Sequence, residues 1–303
     1  MRKSLFWLLV AALFTLSCSR GEQKKAGHVL LIGIDGWSSE CVRVAGDIPN
    51  IRSLMENGSY TYGKRSVMPS ASAINWATMF MGIPTEMHGY DKWNSKEPSI
   101  TPVSVSEHGM PETIYTLIRR QRPDAETGCL FNWDGIGYVT DTLAMSWHRF
   151  IRMGSEGYTT DDYVQTAASY IKEKKPEFFT VYFDEQDHAG HSIGWGSQEY
   201  FDTMKMLDKQ VGVLIQALKD AGIYDDTVIV MSSDHGGRGT GHGGFTIQEL
   251  ETPFIICGKN VRAGFEFPEA MMQYDVPATI AAVLGIETPQ TWVGRPMLQV
   301  FKK

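Results

Sequence analysis

The stretch HVLLIGIDG, residues 28–36, decides the fold of this chain. A short apolar run that ends at Asp35 and Gly36 is typical of a buried strand followed by a turn. Two later stretches repeat the pattern: FFTVYFDEQDHAGH at 178–191 and TVIVMSSDHGG at 227–237. In each, carboxylate and imidazole side chains follow the apolar run. Because open α/β sheets build their sites at strand ends, we expect the three stretches to share one site.

The rest of the chain alternates between strand and helix patterns. Strands are predicted near 28–34, 126–131, 178–184, 226–232 and 253–257. Helices are predicted for stretches with apolar residues three and four positions apart: PETIYTLIRRQ, DDYVQTAASYIKEKK, QEYFDTMKMLDKQVGVLIQALKDAG and YDVPATIAAVLG. This alternation predicts an α/β fold, a three-layer α/β/α sandwich with a mostly parallel central sheet.

Composition favours one globular enzyme domain over residues 26–303. The chain has 303 residues, 43% of them hydrophobic and 11% aromatic, which can bury a sizeable core. The net charge of −7 and the pI near 5.6 show no basic face for a nucleic-acid backbone. Long nucleic acid is therefore not an expected partner.

The first 18 residues, MRKSLFWLLVAALFTLSC, read as an export signal. The basic start and the short apolar stretch are typical of such a segment, and the stretch is too short to span a bilayer comfortably. The end of the segment resembles a bacterial lipoprotein cleavage site, with Cys18 as the lipidated residue. We expect a lipid-anchored protein of the cell envelope, in the periplasm or at the outer membrane, with plain secretion or a retained anchor as the alternatives. The other cysteines, Cys41, Cys129 and Cys257, are read as buried free thiols.

Six candidate metal ligands fall in four separated clusters, and a serine stands between the first two. They are Asp35, Asp187, His191, Asp234, His235 and His242, with Ser72 as the serine. Carboxylate and imidazole ligands without thiolate suit zinc, with manganese as the alternative, and two such ions can assist an in-line phosphoryl transfer. Ser72 precedes the helical stretch AINWATMFMG, so we expect its oxygen at a helix N-terminus that favours anions. Ser70 competes for that position.

Five segments in order resemble the alkaline phosphatase superfamily, and especially its nucleotide pyrophosphatase/phosphodiesterase branch. They are IGIDG at 32–36, PSASAIN at 69–75, DHAGH at 187–191, SDHGG at 233–237 and GHGG at 241–244. The resemblance implies an alkaline phosphatase-like catalytic domain with a small substrate-binding insertion around 90–160.

The resemblance also implies how the candidate residues divide between two divalent ions. Asp187, His191 and His242 would hold one ion. The second would be held by Asp35, Asp234, His235 and the Ser72 oxygen. It further implies that Ser72 is the nucleophile that forms a phosphoseryl intermediate. Asn75, three residues after Ser72, would donate a hydrogen bond to a phosphoryl oxygen in the transition state.

The expected activity is metal-dependent hydrolysis of a small phosphate ester, as a phosphodiesterase or nucleotide pyrophosphatase. A phosphomonoesterase is the first alternative, with Lys64, Arg65 or Arg238 as the cation for the extra charge. Phosphonate hydrolysis, head-group transfer and a non-catalytic lipid-anchored binding role are the others. A sulfatase is disfavoured because AINW follows Ser72, without the proline and arginine of the sulfatase motif. The natural substrate and the oligomeric state stay open. So do the roles of His188 and of four aromatic residues in the range 93–158, Trp93, Trp133, Trp147 and Tyr158.

Overall fold

One twisted sheet runs through the protein in the computed structural model, which describes residues 26–154 and 157–303. Its strands lie in the order β4-β3-β5-β1-β6-β7-β2-β8, with β9 also paired to β2. Neighbouring strands are parallel except at β6–β7 and β7–β2. The strands are β1 His28–Ile34, β2 Gly58–Arg65, β3 Thr127–Phe131, β4 Trp147–Phe150, β5 Phe178–Phe183, β6 Thr227–Ser232, β7 Glu251–Gly258, β8 Phe265–Glu266 and β9 Met271–Met272. The predicted mostly parallel sheet is confirmed.

Helices cover both faces of this sheet. They are α1 Ser39–Val44, α2 Pro49–Glu56, α3 Ser72–Met81, α4 Thr85–His88, α5 Ile114–Gln121, α6 Ile136–Val139, α7 Thr160–Lys174, α8 Glu185–Ile193, α9 Gln198–Asp220, α10 Ile247–Leu250 and α11 Asp275–Leu284. Successive residues of a strand point to opposite faces. Val29 and Leu31 of β1 therefore pack with α3, α5 and α11, whereas Leu30 and Ile32 pack with α1, α2, α7 and α9. The result is the predicted three-layer sandwich.

Sequence patterns found the long apolar strands and missed the polar ones. The five predicted strands correspond to β1, β3, β5, β6 and β7, and the four predicted helices correspond to α5, α7, α9 and α11. The strands β2, with the sequence GSYTYGKR, and β4, with the sequence WHRF, carry glycine or charged residues and so lack a clear apolar pattern. Cys41, Cys129 and Cys257 are buried free thiols, as predicted.

The export signal and Cys18 lie outside the described residues, so their assignment stays a prediction. Within the described ranges, no helix combines the length and the apolar character that crossing a membrane requires.

The order of three central strands brings the candidate site together. β5, β1 and β6 are adjacent and parallel, so their carboxyl ends meet at one edge of the sheet. Asp35 follows β1 directly, Asp187 lies on α8 just after β5, and Asp234 follows β6. Residues far apart in the chain are therefore neighbours at this edge, as expected for an open α/β sheet.

Candidate metal centre

The first ligand group lies beside α8. The carboxylate of Asp187 and the ring nitrogens of His191 and His242 offer ligand atoms within 4.8 Å of one another. The two Nε2 atoms are 3.1 Å apart, and Asp187 Oδ2 lies 3.4 Å from His191 Nε2. Asp187 and His191 are four residues apart on one helix, which places their side chains on the same face.

The second ligand group surrounds the Nε2 atom of His235, which is fully buried. This nitrogen is 3.4 Å from Asp35 Oδ1, 3.1 Å from Asp234 Oδ2 and 3.2 Å from Ser72 Oγ. Asp35, Asp187 and His235 also offer ligand atoms within 4.8 Å of one another. Asp187 therefore lies close to ligands of both groups, and the two potential metal sites are neighbours.

Backbone hydrogen bonds orient the three histidines so that each Nε2 faces the site. His191 Nδ1 donates to the carbonyl of Thr240, His235 Nδ1 to that of Gly236, and His242 Nδ1 to that of Ser70. A carbonyl can only accept, so the proton of each neutral ring sits on Nδ1 and the Nε2 lone pair is free. Burial lowers the pKa of His235 and of His242 to about 3, which keeps both rings neutral. Neutral rings with free Nε2 atoms are what metal ligation requires.

Asp35 is held in a fixed orientation by two donors. Trp76 Nε1 donates to Asp35 Oδ2 at 2.9 Å, and the Tyr182 hydroxyl donates to the same oxygen at 2.5 Å. The other oxygen, Oδ1, is turned toward His235. Such donors behind a ligand carboxylate set its geometry and raise the affinity for a metal.

Three carboxylate oxygens fit the hypothesis of bound metal ions. Asp35 Oδ1, Asp187 Oδ1 and Asp234 Oδ2 are buried and have no hydrogen-bond partner among the described residues. Burial raises the pKa of all three carboxyl groups, because removal from water disfavours their charged form. Buried carboxylates without partners cost stability unless they are paired or coordinate metals. The chemistry of the donors and their orphaned oxygens therefore matches a site for divalent cations.

Gly36 allows the first and second ligand groups to approach each other. Its φ of +64° lies in the left-handed region, and a Cβ on this residue would lie 2.8 Å from Cα of Asp187. Its amide also donates to Asp234 Oδ1 at 3.1 Å. The Asp-Gly pair after β1 thus forms a turn, and the missing side chain of Gly36 lets this turn pack closely against Asp187.

The hydroxyl groups of Ser72 and Ser70 have different partners, so only one of them lies at the site. Ser72 is 7% exposed, begins α3, and directs Oγ at His235. Ser70 Oγ instead donates to the carbonyl of Gly244 at 2.6 Å. Ser72 is therefore the hydroxyl that lies among the candidate ligands, and Ser70 fastens the loop that carries His242.

The expected role of Asn75 is corrected by the structure. Its side chain is fully buried, and its Oδ1 accepts from the Val67 amide at 2.7 Å. Its Nδ2 donates to the carbonyls of Val67, Pro69 and Ala71 at 3.1, 3.1 and 3.2 Å. Both amide protons are thus directed at backbone carbonyls, and none is left for a phosphoryl oxygen. Asn75 holds the loop that leads to Ser72.

The cations considered for a phosphomonoesterase do not line the cavity. Lys64 is fully buried beneath the site, where Nζ donates to the carbonyl of Ser233 at 2.8 Å. Arg65 forms an ion pair with Glu251 at 3.1 Å, and Arg238 is exposed on the loop after β6. None of the three lines the cavity in this arrangement.

A cavity of about 640 Å³ opens next to the ligand groups. Trp93, Trp133, Tyr182 and the exposed His188 line it, together with Ser72 and several of the ligands. Trp147 and Tyr158 do not; they pack against the core on the α7 side of the sheet. Two of the four aromatic residues noted in the sequence between Ser72 and Asp187 therefore contribute to this cavity.

Three supporting aromatic residues escaped the sequence analysis. Trp76 and Tyr182 orient Asp35, and Trp195 donates to the carbonyl of Gly36 at 2.8 Å with its ring against His191. Trp76 lies four residues after Ser72, one helical turn on, which is the one sequence signal that could have indicated it. Tyr182 and Trp195 carry no comparable signal.

A three-layer α/β/α fold with serine, carboxylate and imidazole side chains gathered at its strand ends is of the alkaline phosphatase-like class. Residues 29–250 match the sequence model of a family described as type I phosphodiesterase / nucleotide pyrophosphatase. The chain belongs to this family, whose members are metal-dependent phosphodiesterases and pyrophosphatases.

Individual relatives are distant. Ectonucleotide pyrophosphatase/phosphodiesterase family member 3 of Rattus norvegicus is 24% identical over 222 residues, which are 69% of this chain and 24% of that protein. The chain thus spans about a quarter of the length of the curated relatives it matches.

Solved structures confirm the fold at low sequence identity. Murine ectonucleotide pyrophosphatase / phosphodiesterase 5 matches with a TM-score of 0.72 at 16% identity, covering 91% of this chain and 100% of that one. An inactive variant of the same murine protein, solved in complex with AMP, matches with a TM-score of 0.70 at 16% identity over 90% of this chain and 98% of that one. The phosphonate monoester hydrolase of Agrobacterium radiobacter matches with a TM-score of 0.70 at 16% identity over 91% of this chain and 77% of that one.

Proposed function

We propose that this protein hydrolyses small phosphodiesters, using Ser72 as the nucleophile and two divalent metal ions. One observation carries the proposal: the Ser72 oxygen lies 3.2 Å from His235 Nε2, in a group that also holds orphaned carboxylate oxygens of Asp35 and Asp234. A serine hydroxyl that lies among candidate metal ligands, with a cavity beside it, is suited to phosphoryl transfer.

The ligands would divide into two sets, one for each ion, with Asp187 close to both. Asp187, His191 and His242 would hold one ion. The other would be held by Asp35, Asp234, His235 and Ser72, whose polar atoms meet around His235 Nε2. When bound, the two ions would supply Lewis-acid stabilisation of the attacking and leaving oxygens. Zinc suits this donor set best, and manganese is the alternative.

The chain itself would position the nucleophile and its surroundings. Ser72 Oγ would form a bond to phosphorus while the ester bond to the leaving alcohol breaks, giving a phosphoseryl intermediate. The hydroxyl proton would leave to solvent through the cavity, and the alcohol would take a proton from water. A water molecule would then break the Ser72–phosphorus bond and release a phosphomonoester. Asn75 holds the loop at 67–71 in place by hydrogen bonds to its backbone, which would keep the Ser72 oxygen close to the ligands.

Two features favour a diester over a monoester. Lys64, Arg65 and Arg238 do not line the cavity, so the second negative charge of a monoester has no partner among them. The volume of about 640 Å³ leaves room for the second ester group beside the ligands. A nucleotide is one candidate for that group, in keeping with the AMP complex of the murine relative.

The location in the cell is a separate proposal. We propose export to the cell envelope with a lipid anchor on Cys18, because residues 1–18 combine a basic start, a short apolar stretch and a cysteine. Mass spectrometry of the N-terminal peptide from a membrane fraction tests this. A lipid-modified N-terminal Cys18 is expected, and an unmodified or differently cleaved N-terminus would contradict it.

The catalytic proposal is tested by comparing diester and monoester turnover. Purified protein with added zinc is assayed on bis-p-nitrophenyl phosphate and on p-nitrophenyl phosphate. We expect faster turnover of the diester, and a loss on the order of 10³-fold or more in Ser72→Ala. Ser53→Ala is the control, since it removes a hydroxyl from the exposed face of α2 and does not line the cavity, and it should keep the turnover. Full activity of Ser72→Ala would refute the covalent route, and faster monoester turnover would refute the diester assignment.

A further inference from the structure

Lys64 is a buried amine that the proposed reaction does not use. Its side chain is fully buried and does not line the cavity. Burial lowers the pKa of Lys64 to about 7, and the charges of Asp234 and Asp275 act in the opposite direction. Burying an amine costs free energy unless its protons meet acceptors, whereas a methionine of similar length would fill the same space without that cost. We therefore expect the amine to hold a part of the structure that an apolar side chain could not hold.

A β-bulge turns Lys64 toward the face of the sheet that carries α3 and α11. Tyr62 and Gly63 of β2 lie opposite a single residue of β7, Pro253, so β2 has one extra residue at this point. Proline inside a sheet is usually found at such bulges. In a regular strand Lys64 would share the face of Tyr62, which packs with α1 and α2. The extra residue reverses the alternation and directs Lys64 to the opposite face.

The amine of Lys64 reaches across one strand to the turn that follows β6. Nζ donates to the carbonyl of Ser233 at 2.8 Å and to Oε1 of Gln273. Because β7 lies between β2 and β6, this contact joins strands about 9–10 Å apart, which a short side chain could not span. Ser233 directly precedes two candidate ligands, Asp234 and His235. Lys64 thus supports the turn 233–235 from below.

Gln273 extends this contact to the helix of the nucleophile. Its side chain is fully buried, and Nε2 donates to the carbonyls of Asn75 and Ser233, each at 3.2 Å. Asn75 lies on α3, one turn after Ser72. Together, Lys64 and Gln273 therefore connect β2, α3 and the turn 233–235 through four hydrogen bonds.

The two parts that this network connects must keep a fixed separation for the proposed reaction. Ser72 Oγ, at the start of α3, lies 3.2 Å from His235 Nε2 in the turn. Without the network, α3 and the turn could shift relative to each other. A shift of about 1 Å in a reacting group can lower the rate by about 10²-fold.

We infer that Lys64 and Gln273 are positioning residues for the proposed hydrolysis. They hold the helix that carries Ser72 at a fixed distance from the turn 233–235, which carries two of the ligands. The inference rests on the proposed phosphodiesterase function. Because neither residue lines the cavity, both act only through α3 and this turn, and neither contacts the substrate.

Two variants, Lys64→Met and Gln273→Met, test the inference. Each keeps a side chain of similar length and removes its polar end. With bis-p-nitrophenyl phosphate at saturating zinc, we expect kcat to fall by roughly 10- to 100-fold. KM should stay within about twofold of the wild-type value, since no substrate contact is lost. The double variant should lose about as much as the more damaged single variant, because both residues act through one network.

Cobalt in place of zinc gives a measurement that does not depend on turnover. The visible absorption of protein-bound Co²⁺ depends on the geometry of its ligands. If the turn 233–235 is displaced, the spectrum of each fully loaded variant should differ from that of the wild-type protein.

Asp208→Asn is the matched control. Asp208 is a buried charged residue on α9, and its carboxylate accepts from the backbone amides of Asn50 and Ile51, none of which is a candidate ligand. This variant should lower the free energy of unfolding in a denaturant titration. It should leave kcat, KM and the cobalt spectrum unchanged.

The outcomes separate the inference from the function on which it rests. Folded variants with unchanged kcat and an unchanged cobalt spectrum would overturn the inference and show that the network only stabilises the fold. A raised KM with unchanged kcat would also overturn it. If the wild-type protein did not turn over the diester, the proposed function would be wrong, and the cobalt spectra would still decide the positioning role. If Lys64→Met does not fold, Gln273→Met makes the same comparison, because it removes the contacts with both α3 and the turn.

Discussion

Removing the hydroxyl of Tyr182 tests whether the donors behind Asp35 control metal affinity. In Tyr182→Phe the ring stays, so its packing against Trp76 at a centroid distance of 5.0 Å is kept. The change removes one of two hydrogen bonds to Asp35 Oδ2, while Trp76 Nε1 still donates at 2.9 Å. The carboxylate then has more freedom to turn away from His235.

The size of the effect follows from the type of hydrogen bond. A hydrogen bond to a charged acceptor contributes about 1.5–3 kcal/mol. Since each 1.4 kcal/mol corresponds to about a factor of ten, the full loss would weaken metal binding by roughly 10- to 100-fold. Because Trp76 keeps the second bond, we expect the lower part of that range, about 10- to 30-fold.

The assay is competition for zinc against a chelator of known affinity, with turnover measured at saturating zinc. Tyr115→Phe is the matched control, because its buried hydroxyl is hydrogen-bonded to the Gly128 carbonyl and the Thr180 hydroxyl in the same core and touches no ligand. It should lower the free energy of unfolding without changing zinc affinity. Unchanged zinc affinity in Tyr182→Phe, or an equal loss in the control, would refute the reasoning.

Three further predictions concern the loops and the ligands. Asn75→Ala should lower the free energy of unfolding by roughly 2–4 kcal/mol in a denaturant titration, because buried backbone groups lose their partners. The control Asn57→Ala changes an exposed side chain and should cost little. If Asn75→Ala instead lowered turnover without lowering stability, Asn75 would again be a candidate transition-state donor. Gly36→Ala should weaken zinc binding in chelator competition, since the Cβ meets the backbone of Asp187. Gly222→Ala has a similar φ of +70° and open space around it, so it reports strain alone, about 1–2 kcal/mol, and an equal zinc affinity in both variants would contradict the contact argument. Chelation should lower the melting temperature of the wild-type protein because the ligand carboxylates lose their counter-charge, and a melting curve unaffected by chelator and by added zinc would argue against bound metal.

Local patterns were sufficient wherever a residue's role depends on its own segment. The strands β1, β5 and β6 are buried on both faces, so each is recognisable in the sequence as a continuous apolar run. Because these strands are adjacent and parallel, the residues that follow them lie close together. The spacing of Asp187 and His191 places both on one helix face whatever the rest of the fold does. The seven residues brought together at the sheet edge were accordingly predictable.

Tertiary structure decided the direction of side chains and the partners they meet. Asn75 has the right distance from Ser72 along the helix, yet its amide is turned toward the loop at 67–71, because buried backbone groups there need partners. Lys64 lies near Ser72 in sequence, but its position on β2 buries it below Ser233 instead of in the cavity. The grouping of Asp91 and Asp184 with two tryptophans joins separate loops. The sequence by itself determined which segments form the ligand edge, since that follows from local periodicity, whereas only packing determined which polar atoms remain free to meet a substrate.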